Sequence, residues 1–125
     1  MNGKTRRVLV VDDEPLVTDS LVQILNLFGY EAFGVYSSTA AIDRVRTHPC
    51  EFVVSDVIMH GHISGIELAI HLAALLPDCK VLLMSGNDST SEKLKAAQAK
   101  GHSFDILPKP VHPDVILERL KMMAA

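Results

Sequence analysis

The sequence predicts one doubly wound α/β domain built on a five-stranded parallel sheet. Three observations carry that expectation. Short apolar runs rich in β-branched residues recur along the 125 residues, and the stretches between them repeat their apolar positions every three or four residues. Several of the strand-like runs end on chemically useful side chains: Asp12 and Asp13, Asp56, Ser85, Lys109. Strands that alternate with helices in this way pair in parallel and carry helices on both faces of the sheet.

Length and composition agree. A chain of 125 residues suits a single domain, residues 1–125, with one proper core. Hydrophobic residues at 48% and charged residues at 22% are ordinary globular usage and exclude disorder. No apolar run approaches the roughly 18 residues of a membrane span. Lys4, Arg6 and Arg7 lead into a strand, not into an export segment, so a soluble cytoplasmic protein is expected. The net charge of −3, without clustered Lys and Arg, disfavours direct binding of nucleic acid. Cys50 and Cys79 are too few for a disulfide framework. Each precedes a strand by one or two residues, which can bring them together at one end of the sheet as free thiols.

Arg7–Val11 is the first strand, cut off by Asp12-Asp13-Glu14-Pro15; three acids do not belong inside a sheet, so they mark its carboxyl tip. Pro15 suits a first helical turn. Leu16, Val17, Ser20, Leu21, Ile24, Leu25 and Phe28 then give an amphipathic helix that Gly29 closes. Residues 30–35 form the second strand, and Ser37, Ser38 and Thr39 offer caps for a short helix carrying Ala40, Ala41, Ile42 and Val45. That helix stops before Pro49, because the residue preceding proline avoids helical angles. Residues 52–59 form a buried third strand that delivers Asp56, and a loop through Gly65 leads to a helix marked by Ile66, Leu68, Ala69, Leu72 and Leu75. Residues 81–84 are the fourth strand. Ser89 and Glu92 form a capping-box pattern opening a fourth helix to Lys100, weakly anchored because Leu94 is its only large apolar residue. Residues 104–107 are the fifth strand, with Asp105 an awkward interruption. A last helix spans about 113–123.

With strand order 2-1-3-4-5, the flavodoxin-like arrangement, strands 1, 3, 4 and 5 are successive neighbours. The residues beyond their carboxyl ends then meet in one crevice. Packed carboxylates raise each other's proton affinity, and a divalent cation relieves this. An all-oxygen donor set suits Mg²⁺, which also binds phosphate. A carboxylate attacking phosphorus forms a mixed anhydride. A Lys ammonium and a hydroxyl are the groups that neutralise the spreading charge of that transition state. Lys109 and Ser85 supply them, and Gly86 leaves room for phosphoryl oxygens.

The segments Val10-Val11-Asp12-Asp13-Glu14-Pro15, Val54-Ser55-Asp56-Val57-Ile58-Met59, Met84-Ser85-Gly86 and Lys109-Pro110 together resemble the receiver domain of two-component response regulators, over the whole chain. The resemblance implies that Asp56 is phosphorylated from a phosphohistidine on a histidine kinase or phosphotransfer protein. It implies that Asp12, Asp13, Asp56 and the backbone carbonyl of Ile58 hold Mg²⁺, that Ser85 and Lys109 grip the phosphoryl group, and that the Lys109–Pro110 peptide is cis. The readout would be a switch in the surface of the fourth helix, fifth strand and last helix, in a monomer or weak phosphorylation-dependent dimer. An output domain or target protein would lie outside this chain.

The chain departs from the family pattern at three places. Asp56 to Gly65 spans nine positions where the family spaces eight, an insertion with His60 where proline is common. The family's switch aromatic, three positions before the lysine, is Ile106, so the usual ring rotation has no ring; Phe104 shares its face if strand alternation holds. Ile58, two positions past the acceptor, is apolar and is expected to shield an acyl phosphate from water. His60 and His62 lack a third ligand at fitting spacing and read as an exposed loop. His48, His71, His102 and His112 read as surface residues, and Met59, Met84, Met122 and Met123 as core filler. Two other functions compete. One is a Mg²⁺-dependent phosphohydrolase of the haloacid-dehalogenase type, but there the nucleophile ends the first strand and a second Asp stands where this chain has Ile58. The other is a degenerate receiver used only for docking, against which the complete set of acids, hydroxyl and lysine argues.

Overall fold

The computed structural model describes residues 6–59, 63–86 and 104–124. Its strands are β1 Arg7–Val11, β2 Glu31–Val35, β3 Phe52–Asp56, β4 Lys80–Ser85 and β5 Asp105–Pro108. The helices among the described residues are α1 Pro15–Leu27, α2 Ser38–Thr47, α3 Gly65–Leu75 and α4 Pro113–Ala124, the last being the fifth helix of the sequence pattern. The expected helix over residues 89–100, with its Ser89 and Glu92 cap, lies outside the described residues, as do His60, His62 and His102. All pairings are parallel and the order is β2-β1-β3-β4-β5, as the sequence predicts.

Every residue of β3 is buried, which is what a central parallel strand requires. Its side chains alternate between two apolar layers. Val53 packs with Leu9, Val11 and Leu83 against Ala41, Val45, Ile66 and Leu72 of α2 and α3. Phe52 and Val54 pack with Val8, Val10, Leu82 and Met84 against α1 and α4. Each fully buried aliphatic side chain stabilises by about 1.5–3 kcal/mol, so a one-residue slip that exchanges the two layers is strongly disfavoured. Among the described residues, no helix is long and apolar enough to cross a membrane.

Several boundaries differ from the sequence pattern, each for a local reason. The third strand stops at Asp56 and does not reach Met59. Val57 still donates to the Met84 carbonyl at 3.0 Å, but its own carbonyl accepts from the Gly65 amide at 2.8 Å, so the chain leaves the sheet there. Gly65 is required by that close approach: a Cβ built on it would lie 2.1 Å from the Asp56 carbonyl oxygen. Helix α2 begins at Ser38, earlier than its apolar residues suggest, because Ser37 caps it through the Ala40 amide at 3.1 Å. Helix α3 opens on a Ser64–Glu67 capping box that the loop-like sequence conceals.

On α1 Leu16 is 80% exposed, and Phe28 at its C-cap 63%, although both fall on the apolar spacing. The buried seats belong to Thr18, Leu21 and Leu25. Thr18 takes its place because its hydroxyl donates to the Asp12 carbonyl at 2.8 Å. Across from it, a Cβ on Gly34 of β2 would lie 2.5 Å from the Thr18 methyl. Asp105 opens β5 with its side chain exposed and 3.9 Å from Arg119 of α4, while Phe104 and Ile106 both pack against the α2–α3 side of the sheet, so alternation holds. Met59 and Met84 are core residues, but Met122 is exposed. His48, His71 and His112 lie at the surface.

Candidate functional site

The carboxyl ends of the inner strands place the chemical groups. Asp12 is the first residue past β1, Asp56 the last of β3, Ser85 the last of β4, and Lys109 the first past β5. Asp12 is 1% exposed and Asp56 8%, so both carboxylates are buried beneath the rim. The Lys109 ammonium donates to Asp56 Oδ2 at 2.9 Å, and the Ile58 amide donates to Asp56 Oδ1 at 3.4 Å. The Glu14 amide donates to Asp12 Oδ1 at 3.0 Å. The Lys109 amide donates to the Ser85 carbonyl at 2.8 Å, joining the two strand ends, and the Lys109–Pro110 peptide is cis as expected. Gly86 abuts the aliphatic stem of Lys109.

Burial raises the pKa of Asp12; the Glu14 amide works against it, and the charge of Asp56 adds to it. For Lys109, desolvation pulls downward, but the hydrogen bond and charge of Asp56, with Asp12 and Glu14, outweigh it and hold the ammonium above its ordinary range. Lys109 therefore carries its charge at neutral pH. A raised carboxylate pKa means that the folded state binds its proton more tightly than the unfolded chain does. Ionised Asp12 therefore costs stability, a cost absent below the unfolded pKa, growing between the unfolded and folded values, and full above the folded one. Asn at position 12 keeps an oxygen for the Glu14 amide and removes the charge. In metal-free buffer at neutral pH, Asp12→Asn is expected to stabilise the fold by about 1 kcal/mol, a rise in Tm of roughly 4 °C, with the gain shrinking in acid. Thermal melts across pH check this.

Carboxylate oxygens of Asp12, Asp13 and Asp56 all lie within 4.8 Å of one another. Three hard oxygen donors at this separation fit a small divalent cation such as Mg²⁺, which binds through few carboxylates and keeps several waters. The sequence-predicted residues thus converge: the three acids and Lys109 form one cluster, Ser85 ends the neighbouring strand, and the Ile58 side chain stands 48% exposed at the rim.

Two supporting residues are absent from the sequence-predicted site. Thr18 pins the backbone of Asp12, and its only signal is a polar side chain on the inner spacing of an amphipathic helix. Ser38, expected only as a cap, buries its hydroxyl and donates to the Ile63 carbonyl at 2.9 Å. That bond, with Met59 and Ile63 packed against the α2–α3 layer, ties Met59 and Ile63 to α2.

The model of the response regulator receiver domain matches residues 8–121. Response regulator MprA of Mycobacterium avium (strain 104) is 30% identical over 117 residues, covering 94% of this chain and 50% of that protein. The same regulator of Mycobacterium sp. (strain KMS) is 31% identical over 117 residues, 94% of this chain and 50% of that protein. This chain spans about half the length of those relatives. Among solved structures, a CheY-like receiver domain protein from Methanospirillum hungatei JF-1 superposes with a TM-score of 0.84 at 24% identity, covering 95% of this chain and 93% of that one. A two-component transcriptional regulator AraC from Clostridium phytofermentans ISDg superposes with a TM-score of 0.78 at 30% identity, covering 95% and 91%.

Proposed function

The chain belongs to the response regulator receiver domain family, and on that premise we propose that it is a phosphorylation switch whose acceptor is Asp56. The observation that carries this reading is the buried Asp56 carboxylate held 2.9 Å from the Lys109 ammonium beside two further acids. An Asp56 oxygen attacks the phosphorus of a phosphohistidine on a histidine kinase or phosphotransfer protein. The N–P bond breaks, the imidazole leaves, and an acyl phosphate forms. Mg²⁺, held by Asp12, Asp13, Asp56 and the Ile58 carbonyl, supplies charge neutralisation when bound. Lys109 passes from the Asp56 carboxylate to a phosphoryl oxygen, and the Ser85 hydroxyl donates to another.

Those two movements redistribute an existing equilibrium at β5 and α4. Ile106 supplies no ring to rotate, so Ser85 and Lys109 carry the change. The protein works in the cytoplasm as a monomer or weak phosphorylation-dependent dimer, passing its state to an output domain or target protein and not to nucleic acid directly. The position of the nucleophile at the end of β3 favours this over the phosphohydrolase reading.

Incubation with acetyl phosphate and Mg²⁺, followed by intact mass, tests the proposal. One phosphoryl group gained, and none in excess chelator, is the expected result; a chain that stays unlabelled at saturating donor overturns it. The rim position of Ile58 gives a kinetic test. An amide there can hold a water beside the acyl phosphate, so Ile58→Asn is expected to lose its phosphoryl group roughly tenfold faster, about 1.4 kcal/mol of barrier. Loss as slow as in the parent chain would contradict the shielding role.

A further inference from the structure

We propose that Cys50 and Cys79 are a peroxide-sensitive thiol pair that closes into a reversible intrachain disulfide, at the end of the sheet opposite the acidic crevice. The pairing of β3 with β4 places Phe52 beside Lys80, and the Lys80 amide donates to the Glu51 carbonyl at 2.9 Å. That bond belongs to the Phe52–Lys80 pairing, and its register carried back one residue sets Cys79 opposite Glu51, one position along from Cys50. With adjacent strands about 4.7–4.9 Å apart and a rise of about 3.3 Å per residue, that one-residue offset puts the two Cα atoms roughly 6 Å apart, within the roughly 4.4–6.8 Å that a disulfide spans. Both side chains turn to the same face, where each packs against the apolar layer that includes Leu9, Val53 and Val81. Both are free thiols, neither fully buried, so a small oxidant can reach them.

The two sulfurs differ in readiness. The hydrogen bond with the Cys79 thiol lowers the Cys50 pKa, burial opposes this, and the Arg44 cation assists. The same interaction and burial push Cys79 upward. Cys50 also lines a small cleft with Arg44 and His48 that Cys79 does not share, so the cation stands on its side; we take Cys50 as the attacking sulfur and Cys79 as the resolving one, since the thiolate is the nucleophile. The Cys50 thiolate attacks one oxygen of hydrogen peroxide. The O–O bond breaks, Cys50 becomes a sulfenic acid, and the hydroxide released takes up the proton that Cys50 gave to solvent. The Cys79 sulfur then attacks the Cys50 sulfur, the S–O bond breaks, and a second water leaves with the Cys79 proton. Two thiols are oxidised by two electrons and one peroxide is reduced to two waters. The bond would enclose β3 and α3, tying the entry of the acceptor strand to the entry of its neighbour.

The full chain, treated with dilute hydrogen peroxide, is assayed for free thiols under denaturing conditions and mapped as peptides without reduction. Free thiols are expected to fall from two to none, with a peptide linking Cys50 to Cys79 and full recovery in dithiothreitol. Two thiols remaining, or loss appearing only as crosslinked dimers or sulfinic acids, overturns the proposal. In Cys79→Ser, dimedone should trap a sulfenic acid at Cys50, whereas Cys50→Ser should react at least about tenfold more slowly, as its remaining thiol is the protonated one. Equal rates in the two variants overturn the assignment of attacking and resolving sulfurs. None of these readouts depends on Asp56 being a phosphoryl acceptor.

Discussion

Asp56→Ala will gain no phosphoryl group from acetyl phosphate and Mg²⁺ under conditions that label the parent chain fully, a loss of at least about 100-fold in rate. Asp12 and Asp13 cannot substitute. Asp12 is 1% exposed, with one carboxylate oxygen engaged by the Glu14 amide, and neither acid has the Lys109 ammonium at 2.9 Å to receive developing phosphoryl charge. The substitution should leave the fold intact. Lys109 loses its partner, but its side chain is 37% exposed and can remain hydrated, and the repulsion that Asp56 exerts on Asp12 disappears. Equal mass gain in both proteins would sink the assignment of the acceptor. A circular dichroism spectrum matching that of the parent chain separates loss of chemistry from loss of structure.

Gly65→Ala will cost more than about 3 kcal/mol of stability, enough to lower Tm by roughly 10 °C or more. The added methyl carbon would stand 2.1 Å from the Asp56 carbonyl oxygen, 2.8 Å from the Val57 Cα and 2.9 Å from the Asp56 carbonyl carbon. All three are backbone atoms of the central strand and the turn leaving it, so no rotamer change relieves the clash. Either α3 withdraws from a layer in which Ile66, Leu68, Ala69 and Leu72 are buried, or β3 bends. Denaturant unfolding measures the cost. A loss below about 1 kcal/mol would mean that the close approach of α3 to Asp56 is not a fixed feature of the fold.

Much of this architecture was legible because parallel strands buried on both faces have a sequence signature that helices between them do not blur. The acids, the hydroxyl and the lysine each follow such a strand, and the topology does the rest. What was hidden depends on groups whose partners are distant in sequence. Thr18 reads as a polar interruption until the Asp12 carbonyl is placed above it. Ser38 reads as a cap until the Ile63 carbonyl arrives 25 residues later in the chain. Leu16 and Phe28 mislead in the opposite sense, since spacing alone does not say how far along a helix the sheet extends beneath it. Asp105 looked misplaced because a strand pattern carries no information about Arg119 across the edge.

The contact between Gly34 and Thr18 has a consequence for precision. Edge strand β2 bears none of the reactive groups, yet it backs a stack without slack: bare Gly34 Cα, Thr18 methyl, Thr18 hydroxyl, Asp12 carbonyl. Thickening the first layer by a single carbon displaces every later one, so the tolerance with which a buried acid is machined into the crevice is set from the sheet's margin, by a residue that has no side chain at all.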